Sequence, residues 1–262
     1  KDLALAKKKF EDFHVDRSVY VVDVGQSLHF QQVFKTLELF GFEQAKKCYH
    51  LAYGIVTLPD GKMSSRKGNI IFFSKLKETL TNKITTDFME KFRGVWSDEE
   101  VEDTTRKLAV ATIKYGMLNQ DNNKDIVFDM KAWTDKTGNT GVYLMYAYAR
   151  TRSIMRNIVL TDDEKKQADY SKLTDLAEKK LLSMFHMFHD VAARATKEYK
   201  PQYLCIYLFR LSQQLNKLYE RVSVKATPDI PTKAARLDLI ISAGLILRAG
   251  LKLLGITAVE RM

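Results

Sequence analysis

The densest chemistry in the chain lies in Asp60-Gly61-Lys62-Met63-Ser64-Ser65-Arg66-Lys67-Gly68-Asn69, where three cations, two hydroxyls and two glycines sit between apolar runs. Lys62, Arg66 and Lys67 supply positive charge and Ser64 and Ser65 supply small donors. Gly61 and Gly68 let the backbone turn tightly and approach an anion closely. A polyphosphate suits this set. A solvated basic turn would have the same composition, but Gly68-Asn69 running into the apolar Ile70-Ile71-Phe72-Phe73 predicts a loop seated between two strands instead.

Asp2 and Gln26 form a second candidate set. A carboxylate can pair bidentately with a guanidinium, and an amide can fix a further polar group; on the residues alone Asp2 reads first as the acidic opening residue of a helix. His29 and His50 have no third ligand at metal-binding spacing, so no metal site is expected. Each reads as a hydrogen-bonded structural histidine or as a ligand contact. Farther on, Tyr143, Tyr146 and Arg150 follow helical spacing that puts them on one face, where they could stack on unpaired bases and contact phosphates. Core tyrosines with solvated arginines would give the same pattern.

The elements that must position these residues follow from periodicity. Residues 2–13 predict a helix, 18–23 a buried strand ending at Gly25, 28–40 an amphipathic helix stopped by Gly41, and 49–58 another strand. Strand, helix, strand with short links is a βαβ unit with parallel strands, and ligands of such sheets sit at the carboxyl ends of strands. Beyond Ser74 the pattern is helical, with Asp98-Glu99-Glu100 as an acidic first turn and a break from Gln120 to Asp129. Further helices are predicted at 142–157, 173–199, 202–222 and 232–254, with Pro228 and Pro231 in the loop before the last.

Composition bounds the partners. The 262 residues carry 45% hydrophobic content and a net charge of +10, enough for a core and suited to a polyanion. Two distant cysteines, Cys48 and Cys205, argue against a disulfide framework and for a reducing, cytoplasmic setting. The most apolar stretch, Leu237 to Ile256, is interrupted by Arg248 and Lys252 and reads as a core helix, so no membrane association is expected.

The loop Lys62-Met63-Ser64-Ser65-Arg66-Lys67-Gly68-Asn69 resembles the KMSKS signature of class I aminoacyl-tRNA synthetases in the form seen in the arginyl enzymes. Asp2-Leu3-Ala4, Val24-Gly25-Gln26-Ser27-Leu28-His29-Phe30 and His50-Leu51-Ala52-Tyr53-Gly54 are similar to successive motifs of the same family. The segment Gly138 to Ile154 resembles the helix leading into its anticodon-binding domain, and the resemblance runs through the whole chain in order. It implies an α/β plus all-α architecture: the second half of a Rossmann-like catalytic domain over 1–93, a helical connection over 94–136, and a DALR-type anticodon-binding bundle over 137–262.

By the same resemblance Asp2, Gln26 and His29 contact substrate arginine, and Gly54, His50, Lys62, Met63, Ser64 and Ser65 bind ATP. Tyr143, Tyr146, Arg150, Tyr219 and Met262 contact tRNA. The implied reaction is ATP-dependent activation of arginine with Mg²⁺ and transfer to its cognate tRNA. It needs no protein nucleophile, because an amino-acid carboxylate is ionised at neutral pH and can attack the α-phosphate itself; Lys62, Arg66 and Lys67 would neutralise charge as pyrophosphate leaves. Ser65 stands where the common signature has its second lysine, as in many arginyl enzymes and in class I lysyl enzymes, which leaves open which cation dominates. The family's tyrosine four residues before the Asp would lie upstream of Lys1, and a HIGH motif is not found, so the chain is expected to be a carboxyl-terminal fragment, inactive alone. A non-catalytic tRNA-binding module and a lysyl or cysteinyl type synthetase are the alternatives, and a larger synthetase assembly is left open.

Overall fold

Helix α1 (Asp2–Phe13) turns Ala6 and Phe10 inward and ends at His14, whose left-handed backbone (φ 48°) lets its N–H bond to the Phe10 carbonyl. Strand β1 (Ser18–Asp23) pairs in parallel with β2 (Cys48–Tyr53), from Ser18 opposite Cys48 to Asp23 opposite Tyr53. The crossover is α2 (Ser27–Leu39), so the expected βαβ unit is present. Ala6, Val33, Leu37 and Ala45 form its buried seam, with Leu3, Phe34 and Phe42 packed against it. The computed structural model describes residues 1–59, the backbone of 61 and 62, and residues 72–262. They divide into two compact units, Lys1–Met63 with Gln120–Phe128, and Ser64–Asn119 with Asp129–Met262.

The single strand predicted over 49–58 is two strands. After Tyr53 the chain leaves β1, and β3 (Val56–Leu58) joins another sheet between β4 (Gly61–Lys62), antiparallel, and β5 (Ile126–Val127), parallel. The Gly54 N–H donates to the Asn122 carbonyl at 2.7 Å and the Ile55 N–H to the Asp125 carboxylate at 2.9 Å. An apolar run keeps its composition when its pairing partner changes, so the exchange leaves no trace in the hydropathy pattern. In the strand predicted over 70–73, Ile70 and Ile71 lie outside the described residues. Phe72 is the extended cap of α3 and Phe73 its first residue.

In the second unit, α3 (Phe73–Ile84) runs into a wider turn over Thr85–Met89 and a tighter one over Glu90–Phe92. Then comes α4 (Asp98–Leu118), where the Ser97 hydroxyl accepts the Glu100 N–H and three acids favour the positive end of the helix dipole. The short α5 (Met130–Trp133) precedes α6 (Gly141–Asn157), capped by Thr140. Next are α7 (Asp162–Lys166), α8 (Leu176–Phe185), α9 (Met187–Glu198), α10 (Gln202–Arg221) and α11 (Ile230–Leu253). Leu108 and Tyr115 of α4, Leu144 and Tyr148 of α6, Leu208 and Leu215 of α10, and Ile240 and Leu247 of α11 close one buried core. Gly141 is needed where α6 meets α4, since a Cβ there would lie 2.5 Å from the Ala111 carbonyl oxygen.

The helix predicted over 173–199 is interrupted at His186. The Met184 carbonyl accepts the Tyr207 hydroxyl at 3.0 Å, which competes with the helical bond that would carry α8 into α9. Pro231 sits in the first turn of α11, where its missing N–H costs nothing.

Two capping carboxylates tie this bundle to acid. Asp175 receives a bidentate Arg221 guanidinium, at 3.0 and 2.9 Å, together with the Ala177 N–H, and these hold its pKa at about 2. Asp229, through the Thr232 N–H and Lys172, is likewise at about 2. Both pKa values are depressed in the folded state, so their contribution is complete above the ordinary value of 3.8 and is lost as pH falls toward about 2. The thermal midpoint of the helical unit should therefore fall over that window. Asp175→Asn and Asp229→Asn should flatten the fall, as circular dichroism melts at successive pH values would register; unchanged slopes would remove these groups from the acid response.

Candidate nucleotide and RNA interface

In the first unit the structure brings Asp2 and His29 together. Asp2 opens α1, His29 lies in the first turn of α2, and the Asp2 Oδ2 to His29 Nε2 distance is 2.9 Å, with both side chains about half exposed. The hydrogen bond from His29 holds the Asp2 carboxyl below its usual range. Gln26 lies at the carboxyl end of β1, its Nε2 3.5 Å from Asp23 Oδ2, while the other Asp23 oxygen accepts the Gly25 N–H at 2.9 Å. Asp23 was not singled out by sequence reasoning. Its signal was available, an acid closing a β-type run just before a glycine.

His50 and Gly54 have visible framework roles. His50 Nε2 lies 3.1 Å from the Val22 carbonyl oxygen, and its ring lies 4.8 Å from Phe30, so it ties the middle of β2 to the last residues of β1 and to α2. A Cβ on Gly54 would fall 2.1 Å from the Lys124 carbonyl oxygen, so only glycine lets the 121–125 segment seat there. The backbone of Lys62 is in β4. Its side chain, and Met63, Ser64, Ser65, Arg66 and Lys67, lie outside the described residues.

In the second unit Tyr143, Tyr146 and Arg150 share the one stripe of α6 between residues 142 and 150 that is not buried. Tyr146 is 45% exposed, which sets it apart from the fully packed Tyr148. The Tyr143 ring lies 5.4 Å from Phe209, and its hydroxyl accepts the Asn216 amide at 2.8 Å. The Arg150 guanidinium lies 4.2 Å from the centre of the Tyr219 ring, whose hydroxyl is buried with no hydrogen-bond partner among the described residues, as is Asn216 Oδ1. Burial pushes the Tyr219 pKa up. A cation over an aromatic face beside an exposed tyrosine is a surface on which a base can stack.

The terminal Glu260-Arg261-Met262 is not helical. After Leu253 the chain turns through Gly255 (φ +69°) and lies along α6 as an extended strap, with Ile256 and Val259 buried. The Glu260 carboxylate accepts the Tyr148 hydroxyl at 2.9 Å and Arg152 Nε at 2.6 Å, and its carbonyl accepts Arg156. Arg261 pairs with Glu100 and lies over Trp96. Burial would raise the Glu260 pKa, yet Arg152 and Tyr148 lower it further, and the net direction is down. The strap brings Met262 to the edge of a cavity that Tyr146 also lines. Glu260, Trp96, Asn216 and Phe209 were missed from sequence, because each acts through a neighbour remote in the chain.

Among the described residues no group of three or more His, Cys, Asp or Glu could hold a metal ion, and no helix is long and apolar enough to cross a membrane.

Two families match the chain in tandem: the class I tRNA synthetase (R) catalytic domain over residues 1–130 and the DALR anticodon binding domain over 144–262. Similar curated proteins include an arginine–tRNA ligase of Bdellovibrio bacteriovorus, 43% identical over the whole chain and 45% of its own length. Another, from Clostridium acetobutylicum, is 34% identical over the whole chain and 46% of its own length. The chain thus spans a little under half the length of these relatives. Arginyl-tRNA synthetase of Thermus thermophilus superimposes with a TM-score of 0.82 at 29% identity, over 94% of this chain and 41% of that one. The Plasmodium falciparum enzyme, at 23% identity and a TM-score of 0.82 over 100% of this chain and 44% of that one, shares the fold. With a class I catalytic segment and a DALR helical domain in the same order and with relatives that align along its full length, the chain belongs to the arginyl-tRNA synthetase family.

Proposed function

We propose that this chain is the carboxyl-terminal part of an arginine–tRNA ligase, which joins arginine to ATP and then to the 2′-hydroxyl of the terminal adenosine of its tRNA. The observation that carries the reading is the exposed Tyr146 with the half-buried Arg150 on the first half of α6, where every other position from 142 to 149 except Tyr143 is buried, set within a segment that matches anticodon-binding domains. We assign 1–93 to the catalytic domain, 94–136 to the connection and 137–262 to the anticodon-binding bundle.

In this reading the half-exposed Asp2 carboxylate, kept ionised by His29, takes the guanidinium of arginine, and Gln26 at the carboxyl end of β1 fixes a second polar group of the substrate. His29 and Asp23 hold these two groups before substrate arrives, which spares ordering entropy on binding. Lys62, Arg66 and Lys67 hold the phosphates and neutralise pyrophosphate as it leaves, with Met63, Ser64 and Ser65 shaping the loop. The ATP-site reading of His50 and Gly54 rests on the resemblance; their packing supports the strand that leads to the loop. Mg²⁺ in such sites sits largely on the phosphates of the nucleotide, and when bound it would supply further neutralising charge. The free Cys48 and Cys205 support a cytoplasmic setting.

The test is arginine-dependent ATP–pyrophosphate exchange and aminoacylation by the complete protein with arginine tRNA present, run beside residues 1–262 alone. The complete protein should exchange and the 262-residue chain should bind tRNA without exchanging, since it matches less than half of a ligase. Binding without exchange by the complete protein as well would leave a tRNA-binding module in place of an enzyme.

A further inference from the structure

The small sheet that carries the backbone of Lys62 is held from a distant part of the chain. Among the described residues β4 pairs with β3 at two positions, Lys62 opposite Thr57 and Gly61 opposite Leu58. A two-stranded ribbon of this size is marginal in water by itself, so its place is set by what grips the other edge of β3. That grip is the segment 121–128. Its strand β5 runs parallel to β3, and the Ile126 and Phe128 N–H groups donate to the Ile55 and Thr57 carbonyls at 2.9 and 2.8 Å. Just ahead of β3, the Ile55 N–H donates to the Asp125 carboxylate at 2.9 Å and the Gly54 N–H to the Asn122 carbonyl at 2.7 Å. The segment is bent by its own bonds: the Asp121 carboxylate accepts the Asn123 N–H at 3.1 Å, and the Asp121 carbonyl accepts the Lys124 N–H at 3.0 Å. The fit is close, since a Cβ on Gly54 would meet backbone atoms of Lys124 and Asp125 at 2.1 to 2.7 Å.

On the ligase reading given above, we propose that Asp125 is a positioning residue for arginine activation: through its hydrogen bond to Ile55 it fixes β3, and with β3 the backbone from which Lys62 meets the phosphates of ATP. Ile55 lies in the two-residue link between β2 and β3, so this bond sets the direction in which β3 leaves the β1–β2 pair. The ladder bonds of β5 are made by backbone and survive a change of side chain. The Asp125 bond is made by a carboxylate, so a substitution can remove it and spare the ladder. Asp125 is exposed, and its side chain therefore adds direction to the sheet and little core packing. Direction matters at this place. A cation that stabilises the leaving pyrophosphate has to stand where the charge develops, and a displacement of about 1 Å there can cost on the order of 10²-fold.

The experiment measures arginine-dependent pyrophosphate exchange by the complete ligase and by its Asp125→Ala and Asp125→Asn variants, with Lys62 intact and in a Lys62→Ala background. Asp125→Ala should lower kcat by about tenfold, roughly the worth of one charge-assisted hydrogen bond. The KM for arginine and the affinity for arginine tRNA should stay within about twofold, because neither ligand touches Asp125. Asp125→Asn keeps an oxygen that can accept the Ile55 N–H and should recover most of the rate. In the Lys62→Ala background, Asp125→Ala should cost less than about twofold more, since residues that act through one group do not add. A wild-type rate in Asp125→Ala, no recovery in Asp125→Asn, or the full loss repeated in the Lys62→Ala background would overturn the assignment. A loss that comes with weaker tRNA binding and a lower thermal midpoint would also overturn it, leaving Asp125 a structural residue. If the complete wild-type protein does not exchange at all, the ligase reading itself falls, and this assignment with it.

Discussion

Replacing Lys62, Arg66 or Lys67 by Ala in the complete ligase lowers kcat for arginine activation by on the order of 10²-fold or more and leaves the KM for arginine within a few-fold. The split follows from where the charge is. In the proposed reading arginine is bound by Asp2 and Gln26, which none of the three substitutions touches. The loop meets the phosphates, and negative charge accumulates on the departing pyrophosphate mainly in the transition state. A donor that strengthens only there changes the rate and not the ground-state affinity. Ser65, in place of the usual second lysine, makes the relative sizes informative, because the variant with the largest loss names the cation that replaces it. Pyrophosphate exchange measured across arginine concentrations decides the matter; near-normal rates in all three variants would reduce the loop to a surface turn.

Tyr219→Ala lowers the affinity of the chain for arginine tRNA by roughly 10- to 100-fold, the worth of one base–aromatic stack, and lowers discrimination against a changed middle anticodon base. Removing Met262 acts in the same direction. Tyr219 does two things at once: its ring carries the Arg150 guanidinium at 4.2 Å, and its buried hydroxyl has no hydrogen-bond partner among the described residues. Taking the ring away frees Arg150 to wander and removes the stacking platform in one step. Both RNAs should be titrated at a salt concentration where non-specific binding is suppressed. Equal affinity of the wild-type chain for the two would reject the anticodon role, and unchanged discrimination in both variants would move the reading site elsewhere.

The sequence by itself determined the local elements and the family. Helix α1, strand β1 and helix α2 fall within a residue or so of their expected bounds, and α6, α10 and α11 within two, because each announces itself by periodicity and by a capping residue or breaker at its end. Tyr143, Tyr146 and Arg150 share a stripe for the same reason: helical geometry places such spacings on one face before any packing occurs. Tertiary structure decided what those elements hold on to. Whether the apolar run after Tyr49 stays with β1 depends on hydrogen bonds to Asn122 and Asp125, some 70 residues away, and whether α8 continues into α9 depends on a Tyr207 hydroxyl. The pairing of Asp2 with His29, the clasp of Glu260 by Tyr148 and Arg152, and the seating of Met262 beside Tyr146 and Phe88 are of the same kind. Local periodicity records which face of an element is apolar, but a hydrogen bond between residues far apart in the chain depends on both ends arriving at one place, and that is set only when the core closes.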